Sequence, residues 1–235
     1  MNLSKGYAML AVAASSPTPT PGMSLWLKAD AGVLNGSGNP ASNGDVVATW
    51  QDQSGNGNNG TSSGSLQPTY ATNALNRNPV VAFNLSQITL PNLGLTSDFS
   101  IFMVRQQTSV AIYPIPWEFT NAYYVHCPYG TSSSFCQWRP SVRTNPNVNT
   151  TSYYVLDWIE TGSECDLYNN GTLTAQYTGG SAPNLSGAGM WLGDDALHNG
   201  TGIVGNTAEF IVYPTALSTA NRQQTENYLL GKYGL

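Results

Sequence analysis

The sequence has few charged side chains and very few basic ones. Lys, Arg, Asp and Glu make up 9% of the 235 residues, and 8 basic residues against 13 acidic residues give a formal net charge of −5. Proteins that bind nucleic acid neutralise phosphates with clustered Lys and Arg, and anionic membranes attract basic segments in the same way. We therefore expect neither nucleic acid nor a membrane among the partners of this protein.

Long apolar runs and phosphate-binding motifs are also missing. No apolar run approaches the roughly 18 residues of a membrane-spanning helix, and no P-loop or dinucleotide fingerprint occurs. The cysteines are few and odd in number: Cys127, Cys136 and Cys165 cannot all pair within one chain. A Cys127–Cys136 pair bracketing a hairpin and free, buried thiols are both open at this point.

Polarity comes instead from Asn, Ser, Thr, Gln and Gly, which separate short apolar runs. These runs predict strands over 24–29, 45–51, 78–84, 98–106, 153–160, 164–169, 173–177, 189–193 and 207–213. The pairs Asn43-Gly44 and Asn170-Gly171 are typical of hairpin turns. Many short strands with turn residues between them predict an all-β protein, either a sandwich or a barrel.

One helix is predicted, at the end of the chain. Ser218 is the expected N-cap of a helix that begins at Thr219, and Gly231 is the expected left-handed C-cap. The apolar residues expected to anchor this helix on the β-structure are Leu217, Tyr228 and Leu229.

A proline-rich segment marks the boundary between two parts of the chain. Residues 17–22 read Pro-Thr-Pro-Thr-Pro-Gly, which favours a semi-rigid, extended spacer. We therefore divide the chain into an N-terminal arm with its spacer, residues 1–22, and one domain, residues 23–235. We interpret residues 1–16 as a retained arm because their apolar stretch is short; a secretory signal peptide is the alternative. The apolar residues that would contact an assembly partner are Tyr7, Met9, Leu10 and Val12.

Several segments follow one another in an order that resembles a known family. They include Leu25-Trp26-Leu27-Lys28-Ala29-Asp30, Pro79-Val80-Val81-Ala82-Phe83, Trp191-Leu192-Gly193 and Ala208-Glu209-Phe210-Ile211-Val212-Tyr213. Over residues 24–235 this ordered set resembles the LamG-like jelly-roll domains of the concanavalin A-like lectin/glucanase superfamily, found in tailed-phage virion proteins and bacterial surface proteins. The resemblance implies a jelly-roll β-sandwich of two antiparallel sheets with one short C-terminal helix. Residues 107–152 do not contribute to it.

Paired carboxylates are what a glycoside hydrolase of this superfamily would need. Two acids must lie about 5–9 Å apart across the scissile bond. The nearest match in the sequence is Glu160, Glu164 and Asp166, but the Gly-Ser pair at 162–163 predicts a hairpin turn there. We therefore expect no catalytic residues and no enzymatic activity.

An oxygen-rich loop resembles the first half of a calcium-binding loop. It reads Asp52-Gln53-Ser54-Gly55-Asn56-Gly57, but Ser63 occupies the twelfth position, where such loops place a bidentate Glu. We expect a structural turn, and a calcium site at Asp52 and Asn56 is the alternative. No other cofactor is predicted.

Aromatic residues are concentrated between positions 112 and 158. Aromatic rings stack on sugars and anchor protein interfaces, although inward-facing rings of a sandwich core are the alternative explanation. The candidate glycan-binding residues are Trp117, Tyr123, Tyr124, Trp138 and Arg139.

These features favour a non-catalytic structural or binding module. The first expectation is a bacteriophage virion protein: a capsid decoration (cement) or fibre subunit on the virion surface. Its N-terminal arm would attach it to other virion proteins such as the major capsid protein, it would form a homo-oligomer, and it would display a glycan-binding surface. The alternative is a secreted or cell-surface lectin-like module, and a glycoside hydrolase is a third hypothesis.

Overall fold

The computed structural model describes residues 18–109, 115–120, 123–126, 136–138, 142–144, 152–178, 184–195, 197–198 and 201–235. The strands are β1 Leu25–Lys28, β2 Val33–Leu34, β3 Thr49–Trp50, β4 Gly60–Thr61, β5 Thr69–Leu75, β6 Asn78–Asn84, β7 Ile88–Leu90, β8 Phe99–Ser109, β9 Trp117–Phe119, β10 Tyr123–His126, β11 Cys136–Trp138, β12 Val142–Thr144, β13 Tyr154–Thr161, β14 Glu164–Asn169, β15 Thr172–Thr178, β16 Met190–Leu192 and β17 Val204–Tyr213. One 3₁₀ turn covers Gly64–Leu66, and helix α1 covers Thr219–Tyr233. Within the described ranges, no helix has the length and apolarity needed to cross a bilayer.

The strands form two antiparallel sheets. In sheet A the order is β15-β14-β13-β8-β17-β6-β5, and β1 also pairs with β17. In sheet B the order is β12-β11-β10-β9-β16-β7-β4-β3-β2. The neighbours β8 and β17 are far apart in sequence, so the sheets are not simple meanders. This architecture confirms the predicted β-sandwich of two antiparallel sheets and one C-terminal helix.

Two apolar layers stabilise the fold. The inner layer lies between the sheets and contains Trp50, Trp117, Trp158 and Phe210, all almost fully buried. The outer layer lies between sheet A and α1. Strands with both faces covered read as continuous apolar runs rather than alternating ones. This is why β8 opens with Phe-Ser-Ile-Phe-Met-Val, all six residues of which are buried.

Helix α1 begins where the sequence predicts and ends one turn later. The Ser218 hydroxyl accepts a hydrogen bond from the Asn221 N–H, so the predicted N-cap is confirmed. The predicted C-cap at Gly231 is wrong: the left-handed residue is Gly234, with φ +65°. The extra turn buries the ring of Tyr233, which is 1% exposed. Burial of an aromatic ring outweighs the cost of about 1 kcal/mol for a glycine inside a helix.

The predicted anchors of the helix are confirmed. Leu229 is fully buried, and Tyr228 packs edge-on against Trp26 with ring centroids 6.1 Å apart. Leu217 is partly buried against the same layer. The helix is therefore fixed to sheet A by side chains that the sequence already singled out.

The two predicted hairpin turns differ in outcome. Asn170-Gly171 joins β14 to β15 with φ values of +48° and +74°, which confirms a hairpin of the type favoured by Asn-Gly. Asn43-Gly44 forms a turn with Gly44 at φ +88°, but it lies inside the long connection between the paired strands β2 and β3 and is not a two-residue hairpin loop. The hairpin prediction at Asn43-Gly44 is therefore wrong. An Asn-Gly pair determines the local backbone conformation, but it does not determine with which strand the next segment pairs.

A buried polar cluster centred on Glu209 lies between sheet A and the helix. Its carboxylate accepts hydrogen bonds from the Tyr233 hydroxyl at 2.7 Å and from Lys232 Nζ at 2.8 Å. The Trp26 indole N–H and the Tyr228 hydroxyl also donate to it. Burial, together with the nearby Glu209 charge, raises the pKa of both tyrosines. The phenols therefore stay protonated and act as donors to Glu209.

A second buried cluster lies under the same helix. Asp157 on β13 is 0% exposed, and Glu226 of α1 is beside it. Arg222 forms an ion pair with Glu226 and stacks over the ring of Tyr168, with its guanidinium carbon 3.7 Å from the ring centroid. Burial first, and the Glu226 carboxylate second, raise the pKa of Asp157 well above its ordinary value.

Candidate functional site

A row of cross-strand neighbours crosses the outer face of sheet B. In register, Thr49 is opposite Thr61, Thr61 is opposite Thr89, Thr89 is opposite Trp191, and Trp191 is opposite Glu118. We call these five residues the sheet B row. Side chains alternate between the faces of a strand, and the residues flanking the row in these strands are buried in the inner layer. The row itself therefore faces outward.

The sheet B row combines an indole with hydroxyl groups and a carboxyl group. Thr61 and Thr89 are exposed, Thr49 and Trp191 are partly exposed, and Glu118 is 7% exposed. Adjacent strands are about 4.8 Å apart, so the five side chains extend over about 19 Å. The row therefore forms an extended polar surface with one aromatic platform at its fourth position, beside the buried Glu118 at its end.

A cavity of about 140 Å³ adjoins the sheet B row at the Thr61–Thr89 pair. Its lining consists of Thr61, Ser62, Ser63, Leu66, Gln87 and Thr89. The Gln87 side-chain amide is fixed by donating to the Asp195 carbonyl at 2.9 Å. The Ser62 hydroxyl is buried without a hydrogen-bond partner among the described residues. The cavity thus offers hydroxyl and amide groups beside one leucine.

The strands under this surface are almost free of charge. The sequences of β2, β3, β4, β7, β9 and β16 contain no Lys or Arg, and their one acidic residue is Glu118. These six strands supply no cation to a bound anionic group; in the other strands of sheet B the one Lys or Arg is Arg143 of β12, whose side chain is not described. A single acid also cannot form the facing pair that glycoside hydrolysis requires. The surface is suited to binding neutral, hydroxyl-rich molecules.

The structure corrects the predicted role of Trp117. Its ring is 0% exposed and packs edge-on against Trp158, with centroids 6.1 Å apart, and against Phe210 at 6.2 Å. Trp117 is therefore a core residue and its prediction as a stacking platform is wrong. The alternation along β9 directs Glu118 outward instead.

The other predicted glycan-binding residues are described only in part. Tyr123 and Tyr124 lie in β10 and Trp138 in β11, and Tyr124 is in register with Glu118. The backbone of these strands is described and their side chains are not. Arg139 lies outside the described residues, as do the arm residues Tyr7, Met9, Leu10 and Val12. These assignments stay predictions.

Trp191 is a site residue that is not among those predicted from the sequence. In the sequence it contributes only to the family resemblance. The signal was available locally, because a tryptophan between Met190 and Leu192 in a short strand must face away from them. Both neighbours are buried, so the indole lies on the outer face.

The Asp52 carboxylate holds its loop in a turn through four hydrogen bonds, and calcium binding at Asp52 and Asn56 stays a prediction. One carboxylate oxygen accepts the N–H groups of Trp26 and Ser54, both at 2.9 Å. The other oxygen accepts the Ser54 hydroxyl at 2.7 Å and the Asn58 N–H at 3.0 Å. The Asn56 amide donates to the Met23 carbonyl at 2.9 Å. No group of three or more His, Cys, Asp or Glu side chains converges among the described residues.

Two acids of the nearest hydrolase-like match, Glu160 and Asp166, and the described cysteine lie in the strands of sheet A. Glu160 pairs with Cys165 across the β13–β14 hairpin, which confirms the turn predicted at residues 162–163. Asp166 accepts hydrogen bonds from Gln176 and Tyr168. Cys165 is buried in the inner layer, as expected of a small apolar side chain. Cys127 lies outside the described residues, and the Cys136 side chain is not described.

No family model matches the chain, and no curated protein matches its sequence. Solved structures share its fold. Domain 4 of AbnA, a GH43 extracellular arabinanase from Geobacillus stearothermophilus in complex with arabinotriose, is 15% identical with a TM-score of 0.66, and the match covers 88% of this chain and 98% of that one. A GH54 α-L-arabinofuranosidase is 11% identical with a TM-score of 0.64, covering 90% and 63%. Trypanosoma rangeli sialidase is 10% identical with a TM-score of 0.59, covering 91% and 34%.

These likenesses establish the fold. The chain is similar to almost all of the arabinanase domain, to about two thirds of the arabinofuranosidase chain and to one third of the sialidase chain. At such low identity, function does not follow from fold. The concanavalin A-like sandwich that the sequence resembles is consistent with these neighbours, and none of the three is a phage protein.

Proposed function

We propose that this chain is a non-catalytic carbohydrate-binding module that holds a neutral glycan on the sheet B row. The observation that carries the proposal is the position of Trp191, a partly exposed indole in register with Thr89 on one side and Glu118 on the other. A sugar ring has an apolar face that stacks on an aromatic ring, and its hydroxyls bond to neighbouring polar groups.

The charge of the surface supports a neutral ligand. No Lys or Arg lies in the five strands that carry the row, so these strands offer a sialic acid or uronate carboxylate no cation, and their one ionisable side chain is the acid Glu118. Like charges repel, and a carboxylate that loses water without a partner is costly. The carbohydrate context of the structural neighbours, one of them solved with arabinotriose, is consistent with this proposal.

Loss of the indole tests the proposal. We expect Trp191→Ala to weaken binding at least tenfold in isothermal titration against debranched arabinan, linear mannan and linear xylan, whichever the wild-type protein binds. Loss of an aromatic side chain that stacks on a nucleic-acid base costs about 1–3 kcal/mol, and we expect a loss of the same order for a stacked sugar ring. Leu173→Ala is the matched control, because Leu173 is an apolar side chain that is 47% exposed on β15 of the other sheet. Equal binding by wild type and Trp191→Ala contradicts the proposal.

The biological setting is a separate proposal. Three points stay predictions: the virion role, attachment through residues 1–22 and the division of the chain at residue 22. The alternative, a secreted or cell-surface lectin-like module, also stays a prediction. The structural neighbours support a sugar-related sandwich and do not point to a phage. Retention of the protein on particles after deletion of residues 2–16 would test the arm: unchanged occupancy contradicts its role.

A further inference from the structure

We infer that the cavity beside the Thr61–Thr89 pair is a subsite for a single neutral sugar substituent, so that the preferred ligand is a branched neutral polysaccharide. This inference rests on the proposed function of the sheet B row. It adds a second contact, away from the indole, that distinguishes branched from linear chains.

The position of the cavity relative to Trp191 supports a branch. Thr89 is the direct cross-strand neighbour of Trp191, and Thr61 is the next one along the row. Each step along the row is about 4.8 Å, close to the length of one sugar unit. When one unit stacks on Trp191, the next therefore lies over Thr89, at the mouth of the cavity. A substituent on that unit can enter the cavity while the main chain stays on the row.

The lining of the cavity is suited to one sugar ring. Hydroxyls of threonine and serine and the Gln87 amide can bond to sugar hydroxyls, and Leu66 provides an apolar contact. The buried, unpartnered Ser62 hydroxyl would gain a hydrogen bond. The cavity volume of about 140 Å³ is below the roughly 300–1,000 Å³ of pockets that hold drug-sized ligands. This volume fits one substituent and excludes a long side chain.

The first part of the test compares matched polysaccharides on the full chain. Affinity electrophoresis and isothermal titration would use debranched arabinan against arabinan with single arabinose branches, and linear mannan against galactomannan. We expect the branched member of the bound pair to bind about tenfold more tightly than its linear partner. Equal affinity, or tighter binding of the linear member, overturns the inference.

The second part fills the cavity. Ser63→Trp places a large side chain in it, and Ser63 is exposed and makes no capping hydrogen bond that the substitution would remove. Ser65→Trp is the matched control: Ser65 is exposed in the same 3₁₀ turn and does not line the cavity. We expect Ser63→Trp to abolish the advantage of the branched chain and to leave binding of the linear chain unchanged. Ser65→Trp should retain the advantage.

The outcomes separate this inference from the proposed function. If Trp191→Ala weakens binding but branching gives no advantage, the row binds glycans and the cavity is not a subsite. If Ser63→Trp weakens linear and branched chains equally, the cavity belongs to the main-chain site and the inference is wrong. If the wild-type protein binds none of the four polysaccharides, the inference fails; if it does not bind linear xylan either, this form of the proposed function fails with it.

Discussion

Replacement of Asp157 by Asn should make the protein more stable at neutral pH. Asp157 is fully buried between sheet A and α1, where the groups that face it are Glu226 and Arg222 of the helix and Tyr168 of the adjacent strand. Neither carboxylate oxygen of Asp157 has a hydrogen-bond partner among the described residues. An asparagine has the same shape and never ionises.

The sign and size of the effect follow from the raised pKa of Asp157. The folded state retains the Asp157 proton at pH values where the unfolded chain, with a pKa near 3.8, has lost it. The folded state is therefore favoured at low pH, and this contribution is lost as pH rises from about 4 toward the folded pKa. One proton accounts for a slope of at most about 1.4 kcal/mol per pH unit. Asp157→Asn removes that slope.

Urea denaturation followed by tryptophan fluorescence at pH 4, 5, 6 and 7 would measure the effect. The free energy of unfolding of Asp157→Asn should rise relative to wild type with each step in pH. Asp98→Asn is the control, because Asp98 is exposed and should leave the pH dependence unchanged. If Asp157→Asn instead becomes progressively less stable than wild type as pH rises, Asp157 is ionised and paired with Arg222, and the reasoning is refuted.

Three further predictions concern backbone, cap and loop. Gly193→Ala should lower the free energy of unfolding by about 2–4 kcal/mol, because φ is +99° and the new methyl group would overlap the Phe83 ring. Gly187→Ala is the control: Gly187 has φ +77° but no neighbouring atoms, so this substitution should cost about 1–2 kcal/mol in the same urea titration. Ser218→Ala should cost about 1 kcal/mol by removing the N-cap bond, and an unchanged urea midpoint would contradict that role. Addition of EDTA or calcium should leave the melting temperature unchanged, and a rise in melting temperature with calcium would support the calcium interpretation. Asp52→Ala should lower the free energy of unfolding by about 2 kcal/mol or more, because four hydrogen-bond donors lose their acceptor.

Much of sheet A could be predicted from the sequence because its strands are long and regular. The predicted strands at 78–84 and 164–169 agree with the structure to the residue. Alternation, apolar runs and the Asn170-Gly171 turn are local signals, and here local signals and tertiary packing favour the same conformation. The end of the helix could not be predicted, because Tyr233 extends it through Gly231 to reach Glu209, which is distant in sequence.

Most of the candidate site could not be predicted. The sheet B row joins residues from five short strands, four of them between positions 49 and 119 and the last at 191, and only strand pairing places them side by side. The concentration of aromatic residues predicts Trp117 as a site residue, but the face of the strand decides which side chains are exposed. Trp117 faces the core, whereas Trp191 faces outward. Sequence composition records which rings are present and gives no information on which sheet face they share.

Residues near both ends of the described chain contact the helix-covered side of the sandwich. The carbonyl of Thr20 accepts a hydrogen bond from Tyr213 at 2.7 Å, and that of Thr18 accepts one from Gln224 of α1. Leu235 packs into the layer between α1 and sheet A. Thr18 and Leu235 therefore both lie on the helix-covered side, and the sheet B row faces the opposite way. A molecule coupled to a bead, sensor chip or fusion partner through its C-terminus would present the sheet B row toward the solution.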